Sequence, residues 1–242
     1  MRYFLFAISF LTIIPVPSSV FKDEAKPWRA LAFFPLAGAV QGILSFVVFF
    51  LLSKVLSYKI AFIISLFFYH FLNGGLHIDG LVDFSDAWFG AKKNPKRFRE
   101  ILKDSRIGTM GAFALLFYFL TIIACIDKFV PDWQFFVALG MTGRLCILIC
   151  ATYSRALFED GMGRHFVQNA QFPELFGGML MYVIIIILLG KIYLFAGAVV
   201  VAWSLLYKFY VLKVWRGFSG DLLGAGCSLA EVLYVLVLAA LI

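Results

Sequence analysis

Asp79, Asp83 and Asp86 are spaced i, i+4, i+7, so a helix through them carries three carboxylates on one face. Like charges held that close repel one another unless protons or a cation neutralise them. They belong to residues 73–86 (NGGLHIDGLVDFSD), at the end of a long apolar run, where an unpaired carboxylate is expensive to desolvate. A hard divalent cation with oxygen ligands offers compensation. Mg2+ fits best, because it is held by a few carboxylates together with substrate phosphates. Zinc fits less well, since His77 alone supplies nitrogen and no thiol is near. A solvated helix end bearing three acids is the plainer alternative. Against it stand Gly74, Gly75 and Gly80, poor helix formers clustered where the chain must approach something closely, with His77 among them.

Other polar groups border the apolar runs. Asp104 and Arg106 precede one; residues 153–155, 161–165 and 216–221 flank others. Arg144 lies inside a run, where an arginine lines a cavity or pairs with an acid. Glu231, also inside one, reads equally as a partner for a cation such as Arg144 or as a protonated structural group. Carboxylates on Mg2+, several arginines and a glycine-rich approach suit phosphoryl transfer to an alcohol. Neither GxxxxGK[ST] nor GxGxxG after a strand is present, so this is not P-loop chemistry.

The elements that position these residues are membrane helices. Of 242 residues 63% are hydrophobic and only 14% charged, against about 25% charged in a soluble domain. Mean hydropathy is +0.95. Seven apolar runs, at 30–53, 60–76, 108–126, 133–152, 175–190, 193–212 and 222–242, predict an all-α polytopic transmembrane bundle forming a single catalytic domain over residues 1–242. The fifth run is short for about 30 Å of hydrocarbon. Gly38 and Gly42 form a GxxxG, which predicts close helix packing. Before the first span, MRYFLFAISFLTIIPVP resembles a signal peptide but lacks a small-x-small cleavage site and runs into Pro15 and Pro17; it reads as a retained interfacial or re-entrant segment. Cys125, Cys146, Cys150 and Cys227 form no CxxC pair and read as small buried hydrophobes.

The connections alternate between short (54–59, 127–132, 191) and long and polar (15–29, 86–107, 153–174, 213–221). Lys and Arg number 4 in the short set and 14 in the long set, so the positive-inside rule puts the long loops in the cytoplasm. That topology also accounts for most of the net charge of +7, which anionic lipid headgroups would attract and which needs no nucleic acid. The expected location is the cell inner membrane, with the active site facing the cytoplasm. The cluster Lys92, Lys93, Lys96, Arg97 and Arg99 reads as a solvated, lipid-facing helix ahead of a substrate site.

Five segments in order resemble the cobalamin synthase family, the adenosylcobinamide-GDP ribazoletransferases. Residues 10–17 (FLTIIPVP) look like its FxTRxPVP, and 34–38 (FPLAG) like FPLxG. Residues 74–83 match GGxHxDGxxD, 103–108 match [KR]DSRxG, and 219–225 with Glu231 resemble TGDxLGA…E. Ile13 replaces the usual Arg, Ala87 follows Asp86 where a second Asp-Gly is general, and Ser219 keeps the hydroxyl of the usual Thr.

The resemblance implies transfer of phosphocobinamide from adenosylcobinamide-GDP to α-ribazole or its 5′-phosphate, releasing GMP, with Mg2+. It implies Asp79, Asp83 and Asp86, joined by Asp104, as metal ligands. His77 or one of the aspartates is then the general base, and Arg106, Arg144 and Arg155 are candidates for charge stabilisation. Asn73, Asp104, Arg144, Arg155, Arg164, Arg216 and Asp221 are the expected substrate contacts. Lipid is the expected surrounding partner, and self-association or a complex with other late cobalamin enzymes is left open. The likeness to CDP-alcohol phosphotransferases is shorter, because their DGxxAR is not met. A transporter would place its acids nearer the bilayer midplane.

Overall fold

The computed structural model describes residues 1–21, 26–159 and 163–242; Lys22 of the basic count and Gly161 of the 161–165 stretch lie outside them. The described residues form eleven α-helices and no strand: α1 Arg2–Leu11, α2 Phe34–Leu52, α3 Tyr58–Leu72, α4 Leu76–Ala91, α5 Pro95–Leu102, α6 Thr109–Cys125, α7 Trp133–Ala151, α8 Gly163–Asn169, α9 Phe172–Leu189, α10 Lys191–Val214 and α11 Gly220–Leu241. Six segments are long and apolar enough to cross a bilayer, and α3 with α4 makes a seventh if that bent pair counts as one span. The polytopic helical bundle expected from the apolar runs is therefore what forms. At 10 residues, α1 reaches only about 15 Å, half the hydrocarbon thickness.

Boundaries moved where local chemistry set them. The short fifth run gains a turn at its start, because Pro173 takes the first helical turn and Gln171 and Glu174 form a reciprocal capping box. Ser219 caps α11 by accepting from the Leu222 amide, so that helix begins at Gly220. The second run breaks. After Leu72 the chain turns through Gly74 (φ +61°) and Gly75 (φ +74°), and α4 leaves at 87° to α3.

At the centre stands α7, buried continuously from Phe135 to Ala151. It runs antiparallel to α2, and the two backbones nearly touch. A Cβ at Gly38 would collide with the Gly140 carbonyl, and one at Gly42 with that of Phe136, so the GxxxG packs as its spacing implied. Gly143 lies against Glu231 and Gly226 against Cys146, which sets α11 antiparallel to α7 as well. Tyr182 on α9 meets Thr142 at 3.0 Å, while the Gly178 position abuts Leu148, giving α9 the same sense. Lys208 near the end of α10 donates to the Ile149 carbonyl at 3.0 Å. The starts of α2, α9 and α11 and the end of α10 thus gather at the C-terminal end of α7. That is the end where the long polar loops lie.

Candidate active site

The break after α3 creates the site. Because α4 starts afresh at Leu76, Asp79, Asp83 and Asp86 sit on a helix at their expected spacing. That helix packs directly on α11. A Cβ at Gly80 would lie 2.7 Å from the Asp221 carbonyl oxygen, and one at Gly224 would lie 3.2 Å from the His77 Cα. Ser228 donates to the His77 carbonyl at 3.1 Å. Glycine at 80 therefore lets α11 bring Asp221 up to the acidic face of α4.

The result is a set of carboxylates drawn from two helices. Asp79 is exposed and Asp83 and Asp221 are half-buried. Asp83 lies within electrostatic reach of Asp79, Asp86 and Asp221. No basic side chain pairs with Asp79, Asp83 or Asp221 among the described residues; Asp221 accepts only from the Ser219 hydroxyl, at 3.2 Å. Asp221, expected as a substrate contact, thus joins the acids. Its distance along the chain hid that from any spacing argument.

Asp86 and Asp104, both expected beside the metal, are engaged elsewhere. The two Asp86 carboxylate oxygens accept from the Gly108 amide (2.7 Å) and the Gly111 amide (2.8 Å), holding the start of α6. An acid there also faces the positive end of that helix. Asp104 accepts from both the side chain and the amide of Arg106, with a closest ion-pair distance of 2.7 Å. Those bonds hold its carboxyl below the usual carboxylate range, at about 2. Asp104 and Arg106 line an open cavity of about 410 Å3 with Asp86 and Gly108.

The other expected contacts fall into three places. Asn73 and His77 are buried and line a cavity of about 370 Å3 bounded by α1, α2, α4, α7, α8 and α11. Arg155 and Arg216 line a second, of about 450 Å3, with Tyr153 and Leu212. An isolated parallel bridge joins their loops, with the Phe218 amide donating to the Arg155 carbonyl and the Leu157 amide to that of Phe218, each at 2.8 Å. Arg164, at the start of α8, donates to Gln168 at 3.0 Å and to the Glu159 carbonyl.

Arg144, expected as a substrate contact, is 0% exposed and so is Glu231, its partner at 2.6 Å. Its guanidinium also donates to Gln41 Oε1 at 2.6 Å and to the Tyr69 hydroxyl. Glu231 accepts in turn from Tyr69 (2.6 Å) and Tyr118 (2.7 Å). Five helices, α2, α3, α6, α7 and α11, are joined by this network. It settles the alternative left open for Glu231 in favour of a cation partner.

Among the described residues no three His, Cys, Asp or Glu side chains enclose an ion by themselves. The donor set nonetheless suits Mg2+. It is all oxygen, it carries no counter-charge, and Mg2+ is commonly held by one or two carboxylates with water and substrate phosphates completing the shell.

Residues 3–239 match the family model described as cobalamin-5-phosphate synthase. A Listeria monocytogenes protein named adenosylcobinamide-GDP ribazoletransferase is 31% identical, over 96% of this chain and 95% of its own length. Proteins of the same name from Listeria welshimeri (31%, 98% of each chain) and Clostridium acetobutylicum (31%, 97% of this chain and 94% of that one) are similar to the same degree. No solved structure matches the chain.

Proposed function

The chain belongs to the cobalamin-5-phosphate synthase family, and on that premise we propose that it joins adenosylcobinamide-GDP to α-ribazole or its 5′-phosphate, releasing GMP. This is the nucleotide-loop assembly step of cobalamin synthesis. The single observation that carries the reading into the structure is the uncompensated carboxylate set of Asp79, Asp83 and Asp221 beside a ligand-sized cavity.

In this reading Asp79 and Asp83, with Asp221 from the neighbouring helix, would hold Mg2+. When bound, the ion neutralises the diphosphate and the charge developing on departing GMP. An acceptor hydroxyl attacks the phosphorus nearer cobinamide. The new P–O bond forms as the bond to the GMP oxygen breaks, and GMP leaves with that electron pair. Of the two buried imidazoles with an unpartnered nitrogen, His70 and His77, only His77 lines the cavity; we assign it to receive the hydroxyl proton. Arg155 and Arg216, exposed and on one cavity wall, are the guanidinium groups available to phosphate oxygens. The long basic loops support a cytoplasmic orientation of this face at the cell inner membrane. The same loops lie at the level of anionic headgroups.

The test is turnover of purified protein in detergent, following GMP release from adenosylcobinamide-GDP with each acceptor. Dependence on an acceptor, loss with a chelator and recovery with Mg2+ are expected. Turnover untouched by chelation refutes the metal assignment. Absence of turnover with either acceptor refutes the function. Because no membrane gradient is present, the assay also separates an enzyme from a carrier.

A further inference from the structure

The cavity of about 370 Å3 has a chemical character different from the carboxylates beside it. It lies near the lower end of the range, about 300–1,000 Å3, that encloses small organic ligands. Its walls are mostly carbon, and no Lys, Arg, Asp or Glu lines it among the described residues. Phe10 of α1, Phe34 of α2 and Phe166 of α8 form an aromatic cluster on one wall. Their ring centroids are 4.6 Å (Phe10–Phe166), 5.5 Å (Phe34–Phe166) and 5.9 Å (Phe10–Phe34) apart.

Four polar side chains line the cavity among the described residues, and they differ. The hydroxyls of Ser9 and Thr12 are satisfied by carbonyls of their own helix, those of Phe6 and Ile8. Asn73 and His77 are not satisfied. Both amide atoms of Asn73 and Nε2 of His77 are buried without a partner among the described residues, although the two residues are only 5% and 2% exposed. Buried polar groups left unpaired in a folded protein are costly, and a ligand that bonds them removes that cost.

We propose that this cavity receives the aromatic base of the acceptor: a planar, uncharged, methyl-bearing ring system with one acceptor nitrogen, carrying its sugar toward His77 and the carboxylates. The inference rests on the functional reading above and gives the acceptor its place in it. The base packs against Phe10, Phe34 and Phe166, where offset or edge-on ring contacts add to simple burial. The Asn73 amide nitrogen donates to the ring nitrogen, and its amide oxygen accepts from a hydroxyl of the attached sugar.

Other parts of the substrates fit worse. A corrin macrocycle is too large for the space. A diphosphate needs positive charge, and none of the described residues lining the walls supplies it. Guanine presents several donors and acceptors along one edge, more than one amide and one imidazole nitrogen satisfy. A lipid chain would fill the carbon-lined space and leave Asn73 and His77 unpaired.

The experiment uses three variants of the full chain: Asn73→Ala, Phe166→Leu and Ile147→Trp, the last filling the cavity without altering a polar group. Each is first checked for monodispersity in detergent. One readout is the binding of α-ribazole alone, followed by its intrinsic fluorescence. The other is KM for acceptor and for donor, each measured with the other saturating. Binding of α-ribazole and its KM should weaken by about tenfold or more in the folded variants, with the donor KM changed by less than about twofold. Unchanged α-ribazole binding in folded variants overturns the cavity assignment, as does a rise confined to the donor KM. Displacement of α-ribazole by GDP overturns it too, because that puts guanine in the cavity. A wild type that binds α-ribazole in a variant-sensitive way but releases no GMP refutes the function and leaves the cavity assignment standing.

Discussion

Two groups of charged residues lie within a few turns of each other in this bundle, and they are built on opposite terms. Arg144 and Glu231 are wholly enclosed, and the network around them supplies almost every bond they need: Tyr69, Tyr118 and Gln41 complete what the ion pair begins. Only Arg144 Nε is left over. Asp79, Asp83 and Asp221 stand at the polar end of α4 and α11 with no cation among the described residues. A charge inside a membrane protein is tolerated when something neutralises it. In the first group the chain provides the partner. In the second no described residue does, which is the arrangement a cation-binding site would need and a purely structural network would not.

The comparison breaks most visibly at the buried pair. Glu231→Ala leaves the Arg144 guanidinium enclosed and uncompensated, and should destabilise the protein by about 3–5 kcal/mol. Loss of Tm in a detergent melt measures it. If the network is structural, Arg144→Met combined with Glu231→Met should recover much of that stability, because no lone charge remains. A double variant worse than either single change would contradict this account of the pair.

At the carboxylates the expected effect is the reverse, on rate rather than fold. Asp79→Asn and Asp83→Asn remove charge from a self-repelling set, so Tm should hold or rise. Turnover should fall by about a hundredfold or more, since metal-borne charge stabilisation is worth several kcal/mol. Near wild-type turnover in either variant would remove that residue from the metal set.

A subtler change sharpens where the second group ends. Gly80→Ala puts a Cβ 2.7 Å from the Asp221 carbonyl oxygen and must push α11 away from α4. The carboxylates then separate without any of them being altered. We expect about a tenfold loss in kcat/KM, partly restored by raised Mg2+. If Asp221 stands outside the site, the loss should not respond to Mg2+.

Much of this could be read along the chain, because it depends on neighbours one helical turn apart. The acidic face of α4 follows from the spacing of Asp79, Asp83 and Asp86, and close packing on α2 follows from Gly38 and Gly42, although not which helix packs there. What could not be read depends on partners far away in sequence. The apolar run through residue 76 gave no sign that Asn73–Gly75 would turn the chain by 87°. Gly74 and Gly75 read as a close approach, but they serve as left-handed turn residues. Asp86 shares a face with Asp79, yet its carboxylate is taken by two amides of α6. The pairing of Arg144 with Glu231 spans 87 positions, and only the cost of burying either alone suggested it.

The smallest expected effect tests whether the uncompensated group runs on to Asp104. That carboxyl is held at about 2 by Arg106, below its ordinary value of about 4. A depressed carboxylate contributes stability that is complete above its unfolded pKa and is lost as pH falls toward 2. Between pH 5 and 8 Asp104 is therefore always charged, and it is already paired with a cation among the described residues, as Glu231 is and Asp79 is not. Asp104→Ala should change turnover by less than about threefold and leave the shape of the pH–rate curve over that interval untouched. Asp104 also lines the open cavity with Asp86, so a larger loss would have a definite meaning. It would show that substrate or metal draws Asp104 away from Arg106 during turnover, and that the pair is broken on binding.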